Sequence, residues 1–192
     1  MGKFLRKIIG YIILIILICI IALSIRNTIN PNYSNEKEST QSSYVTGNEI
    51  NSDSLKLHKA TVKRVVDGDT FIINIDGKDE RVRLIGVDTP ESVNPDESKN
   101  TPEGEEASNI TKKLVPENTV VWLEYDKDMT DDYGRTLAYI WLTDKFENVT
   151  SDNMDKYMLN AKLLKIGTAK PMFISPNLKY EPEFVEIYGK NN

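Results

Sequence analysis

The chain reads as an α+β domain: a small β-barrel of about five strands carrying two or three helices. Three observations lead there. Residues 66–91, VDGDTFIINIDGKDERVRLIGVDTPE, hold two β-rich runs joined by Asp76-Gly77, and an Asp-Gly pair between such runs is the strongest short-range hairpin signal. Two more runs, TVVWLEY (119–125) and TLAYIWL (136–142), alternate apolar and polar residues with the period of a strand. Residues 152–166 place Met154, Tyr157, Met158, Ala161, Leu164 and Lys165 at helical spacing, stopped by Gly167.

Taken in order, the chain begins with Lys3, Arg6 and Lys7, then an uncharged run from Ile8 to Ile25 closed by Arg26. At ~1.5 Å per residue such a run spans about 27 Å, close to the ~30 Å hydrocarbon core of a bilayer. It is longer than a typical signal-peptide apolar region. Residues 1–26 are therefore expected to form a transmembrane signal-anchor helix, or a signal peptide cut near Ala22-Leu23-Ser24. The leading positive charges put the N-terminus in the cytoplasm and the rest outside, membrane-bound or secreted. Residues 27–57 are rich in Asn, Ser, Thr and Glu without usable periodicity, and are expected to be a disordered polar linker. The globular domain is expected over 58–192.

Within it, Thr61–Val66 is the first strand, the Asp76-Gly77 hairpin supplies the next two, and Pro90 takes the chain out of the ladder. Residues 95–104 read as a Pro- and acid-rich loop and Glu105–Leu114 as a helix. The strand 119–125, a polar loop from Asp126 to Arg135, the strand 136–142 and the helix over 152–166 complete the pattern.

Composition narrows the chemistry. One cysteine, Cys19, excludes an internal disulfide, and one histidine, His58, excludes zinc sites built from several histidines and leaves Ser-His-Asp chemistry little to work with. From His58 onward 18 Lys and Arg face 25 Asp and Glu, a balance of −7. That argues against tight duplex binding through a broad basic face and is compatible with engagement of a single strand in a local positive cleft. Catalysis, if any, falls to carboxylates, arginines and a hard metal. The hairpin region offers that set: Asp69, Asp88 and Glu91 at the ends of apolar runs, with Arg83 between, can gather one metal ion and one phosphate.

Four segments, VVDGDT (65–70), VRLIGVDTPE (82–91), EASNITKKLV (106–115) and DDYGRTLAYIWL (131–142), resemble the staphylococcal nuclease (thermonuclease) family in order and nearly in spacing. The resemblance covers about residues 58–177. It implies a five-stranded OB-fold barrel with three helices, and calcium-dependent cleavage of DNA and RNA to 3′-phosphate products. It further implies Ca²⁺ on Asp69, Asp88 and the backbone carbonyl of Thr89, with Glu91 as general base or water-positioner. Arg83 and Arg135 take the place of the two arginines that grip the scissile phosphate. Asp67 matches an acidic residue near the ion, and Tyr133 one near the nucleotide phosphate. Physical chemistry favours those types: an anionic diester must be neutralised before water attacks it, and the planar arginine fork donates paired hydrogen bonds to phosphate oxygens. Single-stranded DNA or RNA is the expected partner, and a monomer the expected state.

The sequence also departs from the family. The loop 92–104 carries Asp96, Glu97 and Glu103 where the best-known member has lysines. Near 171–175 Phe173 can take the place of a base-stacking tyrosine, whereas Ser175 cannot. Residues 143–152 read as an insertion, and the last helix is shortened to about 179–188, with Pro182 suited to its first turn. A catalytically idle OB module binding single strands is the competing reading; retention of both arginines and all three site carboxylates speaks against it, since simple binders need stacking aromatics more than acids.

Overall fold

A computed structural model of the chain describes residues 49–191. The expected membrane or signal helix (1–26) and most of the linker (27–48) lie outside these residues. Among the described residues no helix is long and apolar enough to cross a membrane.

Five strands close a barrel: β1 (His58–Asp67), β2 (Thr70–Ile75), β3 (Lys78–Leu84), β5 (Val120–Glu124) and β6 (Thr136–Trp141). The order around it is β1-β2-β3-β6-β5, with β3 and β6 parallel and the other pairs antiparallel. The β2–β3 hairpin turns where the sequence places it: Asp76 and Gly77 both have positive φ (50° and 87°), as a tight two-residue hairpin loop requires. Inward residues alternate with outward ones, and Val62, Phe71, Ile73, Val82, Val121, Leu123, Ala138 and Ile140 fill the core. The returning strand of the hairpin stops at Leu84. Gly86–Asp88 instead forms β4, which pairs antiparallel with β7 (Lys170–Met172) in a small second sheet.

Three α-helices pack on the barrel. The first, α1 (Pro102–Leu114), starts three residues earlier than the sequence suggests, inside the expected loop. Thr101 caps it by accepting from the Gly104 amide (3.0 Å), Pro102 suits the first position, and Lys112 and Lys113 favour its C-terminal dipole. Its buried face is Gly104, Ala107, Ser108 and Thr111, small enough for close approach. The Thr111 hydroxyl donates to the Gly68 carbonyl (2.8 Å), tying α1 to the β1–β2 turn.

The single helix expected over 152–166 is two elements: a 3₁₀ turn at Met154–Lys156 and α2 (Leu159–Lys165). Met158 between them is extended (φ −118°, ψ 128°) and pairs with Trp141, so the end of β6 outcompetes helical continuity. Asn160, fully buried, donates to the Ile85 carbonyl (2.8 Å) and accepts from the Ile140 amide (3.0 Å). Helix α3 (Glu181–Gly189) buries Phe184 and Ile187 and carries Pro182 in its first turn.

The insertion at 143–152 is packed into the fold. Phe146 stacks on Trp141 (centroids 4.2 Å apart, 11° between planes), and Val149 exchanges two backbone hydrogen bonds with Ile50 (2.8 and 3.0 Å). The expected linker therefore joins the domain before residue 57: Ile50, Leu55 and Leu57 rest against the core.

Candidate active site

The β1–β2 turn, the segment from β4 to α1, and the 126–135 loop bring most of the sequence-nominated residues together. Asp69, buried in the turn, accepts from the amide (2.8 Å) and hydroxyl (2.9 Å) of Thr89 through Oδ2 and from the Thr70 hydroxyl (3.1 Å) through Oδ1. Gly68 permits this: a Cβ there would lie 2.6 Å from the Thr89 hydroxyl oxygen. Asp67 holds the same segment one step on, accepting from the Ser92 hydroxyl (2.6 Å) and the Gly68 amide (2.8 Å). Gly104 performs a similar service from α1, since a Cβ there would sit 2.0 Å from the Glu91 carbonyl oxygen.

Arg83 is almost wholly buried. Its Nη1 donates to the carbonyls of Leu84 (2.9 Å) and Val87 (2.7 Å), and its Nη2 reaches Asp88 (3.0 Å) and Asp69 (3.3 Å). Arg135 comes from the loop just before β6, the strand that pairs with β3. Its Nε donates to Asp131 (2.6 Å), and its guanidinium carbon lies 5.4 Å from the ring of the exposed Tyr133. Asp131 also accepts from the backbone amides of Tyr133 (3.0 Å) and Arg135 (2.9 Å), while Gly134 takes the left-handed conformation (φ 73°) the turn needs.

Arg83, Asp88, Glu91, Tyr133 and Arg135 line one cleft of about 460 Å³, with Leu137, Met172, Ile174 and Asn177 among its other walls. Asp67, Asp69 and Thr89 stand behind it rather than on its surface. Phe173 does not line it either: it is half-buried against the core, leaving Met172 and Ile174 as the wall. Sequence reading missed Asp131, the anchor of Arg135, and Asn177, whose side chain accepts from the Asp128 amide and donates to its carbonyl (2.8 Å each), joining the two loops at the cleft mouth. The four-residue spacing from Asp131 to Arg135 was the available signal for the first; for the second, 49 residues away, there was none.

Charge in the site is unbalanced. Burial raises the Asp88 carboxyl above its ordinary value; Arg83 opposes that rise, and the charges of Asp69 and Asp67 add to it. Burial likewise raises Glu91, reinforced by Asp67 and Asp69, while a hydrogen bond with Asn94 works the other way. The four carboxylates Asp67, Asp69, Asp88 and Glu91 thus outnumber the opposing cations, Arg83 and, across from Asp88, Lys170. The donors are all hard oxygen, and Asp69 Oδ1, with one hydrogen bond, keeps acceptor capacity, which suits a hard divalent cation. Among the described residues no three His, Cys, Asp or Glu side chains converge to hold an ion by themselves. An ion here would rest on Asp69, Asp88 and the Thr89 carbonyl, with water completing its shell.

The model of staphylococcal nuclease homologues matches residues 81–190. The chain belongs to that family. It is 54% identical over 119 residues to a thermonuclease of Staphylococcus intermedius, across 62% of each chain. Identity to a thermonuclease of Staphylococcus hyicus is 48% over 120 residues, covering 62% of this chain and 63% of the other. An endonuclease of Bacillus subtilis (strain 168) is 37% identical over 154 residues, 79% of this chain and 65% of that one. The chain thus spans somewhat under two thirds of the length of these relatives. The family match takes in Arg83, Asp88, Glu91 and Arg135 and begins downstream of Asp67 and Asp69.

Proposed function

We propose that the domain is a nuclease that hydrolyses phosphodiester bonds of DNA and RNA to 3′-phosphates, with calcium as its ion. It works outside the cytoplasmic membrane, held there by residues 1–26 or released from them. The observation that carries the reading is the shared cleft, in which Arg83 and Arg135 approach one hollow from different elements with Asp88 and Glu91 on its wall.

The two guanidiniums bind the non-bridging oxygens of the diester and meet the charge that grows on them as water adds. Arg83 is held by two backbone carbonyls, so it needs little reorganisation as the reaction proceeds. Asp131 orients Arg135 in the same sense. Glu91, whose carboxyl is raised above its ordinary value by burial and the nearby Asp67 and Asp69 charges, is a stronger base than a free carboxylate for positioning a water and drawing off its proton. As the water oxygen bonds to phosphorus, the bond from phosphorus to the 5′-oxygen breaks, the leaving oxygen takes a proton from solvent, and the phosphate stays on the 3′ side. When bound, the cation neutralises phosphate charge and supplies a polarised water.

Activity staining on denatured DNA, with calcium or with chelator, tests the reading when wild type is run beside Glu91→Ser and Arg135→Ala. Clearing only by wild type with calcium is the expected result. Clearing that survives chelation, or survives in both variants, removes the mechanism. Calcium-loaded protein that holds single strands without cutting them identifies the idle binding module instead.

A further inference from the structure

Strand β1 contains a bulge between Val62 and Arg64. With unbroken alternation after the buried Val62, Arg64 would point into the barrel. The extra residue, Lys63, resets the alternation, so Arg64 faces outward and Val65 returns to the core. Arg64 lies opposite Ile72 on β2, and Ile72 lies opposite Arg81 on β3. The parallel β3–β6 ladder begins with Val82 opposite Thr136, and Arg81 and Arg135 are the residues immediately before that first pair. At the usual strand spacing the Cα atoms of Arg64 and Arg81 are about 10 Å apart. Arg83, on the floor of the cleft, is two residues along the same face of β3.

Arg64 and Arg81 are exposed and, unlike those of Arg83 and Arg135, their side chains enter no hydrogen bond or ion pair among the described residues. No acid stands in the row. Asp79, one row away, accepts from the Asn74 amide group, and Glu80 accepts from the Thr136 hydroxyl on the other face of β3. In a domain with a surplus of acid, two unpaired guanidiniums in line with the cleft arginines are an asymmetry that folding does not explain.

We propose that Arg81 and Arg64 form a track for the backbone of a single-stranded polynucleotide, leading its phosphates out of the cleft across β3, β2 and β1, with Ile72 beneath a sugar or base. This rests on the nuclease reading and narrows its substrate to a strand of several nucleotides. Continuity with the cleft is what selects a nucleic acid strand. A row one residue wide reaches one backbone, and the acidic remainder of the surface opposes the second strand of a duplex.

The test is binding by the full chain in neutral detergent with chelator present, followed by anisotropy of a labelled oligothymidylate across a salt series. For an oligomer of about a dozen nucleotides, Arg64→Ala/Arg81→Ala is expected to reduce the slope of log K against log salt by about 1.4, from ~0.7 per lost phosphate contact. Affinity at low salt falls by roughly tenfold, and with calcium added KM for the oligomer rises by a similar factor while kcat holds. Arg64→Lys/Arg81→Lys restores most of the slope. Lys145→Gln/Lys156→Gln, which removes two exposed cations outside the row, leaves it unchanged. The proposal is overturned if the double alanine variant keeps the wild-type slope, if the lysine-to-glutamine control loses as much, or if wild type does not bind the oligomer. Loss of slope in a protein that never cuts the oligomer sinks the nuclease reading and leaves the track; cutting with an unchanged slope does the reverse.

Discussion

Glu124 and Asp69 are both nearly buried carboxylates of the barrel, and their surroundings differ in a way that separates scaffold from site. Glu124, at the end of β5, accepts from the Trp141 indole (2.7 Å) and the Tyr180 hydroxyl (2.9 Å) and is paired with Lys179. Nearby, Asp126 accepts from the Tyr139 hydroxyl (3.2 Å) and the Lys179 amide (3.1 Å). Burial, then the Glu124 charge, pushes the Tyr180 phenol far above its usual range, so it serves as a donor at every working pH. That cluster is saturated: Lys179 matches the Glu124 charge and both Glu124 oxygens are taken by donors, and it fastens the start of α3 to β5 and β6. Around Asp69 three further carboxylates face only Arg83 and, beside Asp88, Lys170, and two of them have raised pKa values. The fold tolerates that unspent negative charge where a cation and an anionic substrate can complete it.

The largest effect is expected on the saturated side. Glu124→Ala leaves the Trp141 indole and Tyr180 hydroxyl without their buried acceptor and Lys179 without its partner, a loss of about 3–5 kcal/mol in denaturant unfolding. Below the melting point, activity per folded molecule should stay near wild type, because no residue of this cluster lines the cleft. A fall in activity without a fall in stability would erase the distinction between the clusters.

Arg135→Ala tests the other side. Its ion pair with Asp131 is partly exposed, so stability should fall by at most about 1 kcal/mol. The rate on denatured DNA should fall by about 10²–10³, equivalent to roughly 2.7–4 kcal/mol of barrier. Steady-state kinetics beside a melting curve separates the two quantities, and equal losses in both would make Arg135 a structural residue.

The saturated cluster was hidden from sequence reading, whereas the unsaturated one was largely visible. Asp69, Arg83, Asp88 and Glu91 lie within 23 consecutive residues, and the Asp76-Gly77 turn that folds them together announces itself. Arg135 was reached through the family resemblance of residues 131–142, since nothing local distinguishes it from a strand-entry residue. Glu124 meets Tyr180 across 56 residues, and nothing local in either segment foretells the contact. The same limit explains the broken helix at Met158, whose extended backbone follows from Trp141, and the docking of Ile50 on Val149. Helical periodicity at 152–166 describes a buried face correctly but not its continuity, because the end of β6 demands a partner there. Phe173 was nominated by its place in the family resemblance; it rests partly buried against the core, while Met172 and Ile174 line the cleft.

Calcium itself sharpens the comparison. An ion that binds only the folded state at 100 times its dissociation constant adds about 2.7 kcal/mol of stability. Wild type should therefore melt several degrees higher with calcium than with chelator, and the melting point should keep rising with calcium concentration. Glu124→Ala, once its lower baseline is subtracted, should gain as much, since its cluster holds no ion. Asp88→Asn should gain little. An equal gain in Asp88→Asn would place the ion elsewhere.

The smallest effect has the opposite sign. In chelator, Asp88→Asn removes one of four crowded charges while its side-chain oxygen can still accept from Arg83. Burial raises the Asp88 carboxyl above its ordinary value of 3.8 in the folded chain, so ionisation costs the native state more than the unfolded one. The cost is present at neutral pH, shrinks as pH falls through the folded-state pKa, and is gone below the ordinary value of 3.8, where the carboxyl is protonated in both states. Asp88→Asn should thus melt about 1–2 °C higher than wild type at pH 7, a figure discounted for its half-exposed side chain, and no higher near pH 3. A variant that loses cation binding yet folds more firmly is what a site kept in electrostatic debt must produce. A lower melting point at pH 7 would instead put Asp88 with Glu124, among the carboxylates whose business is the fold.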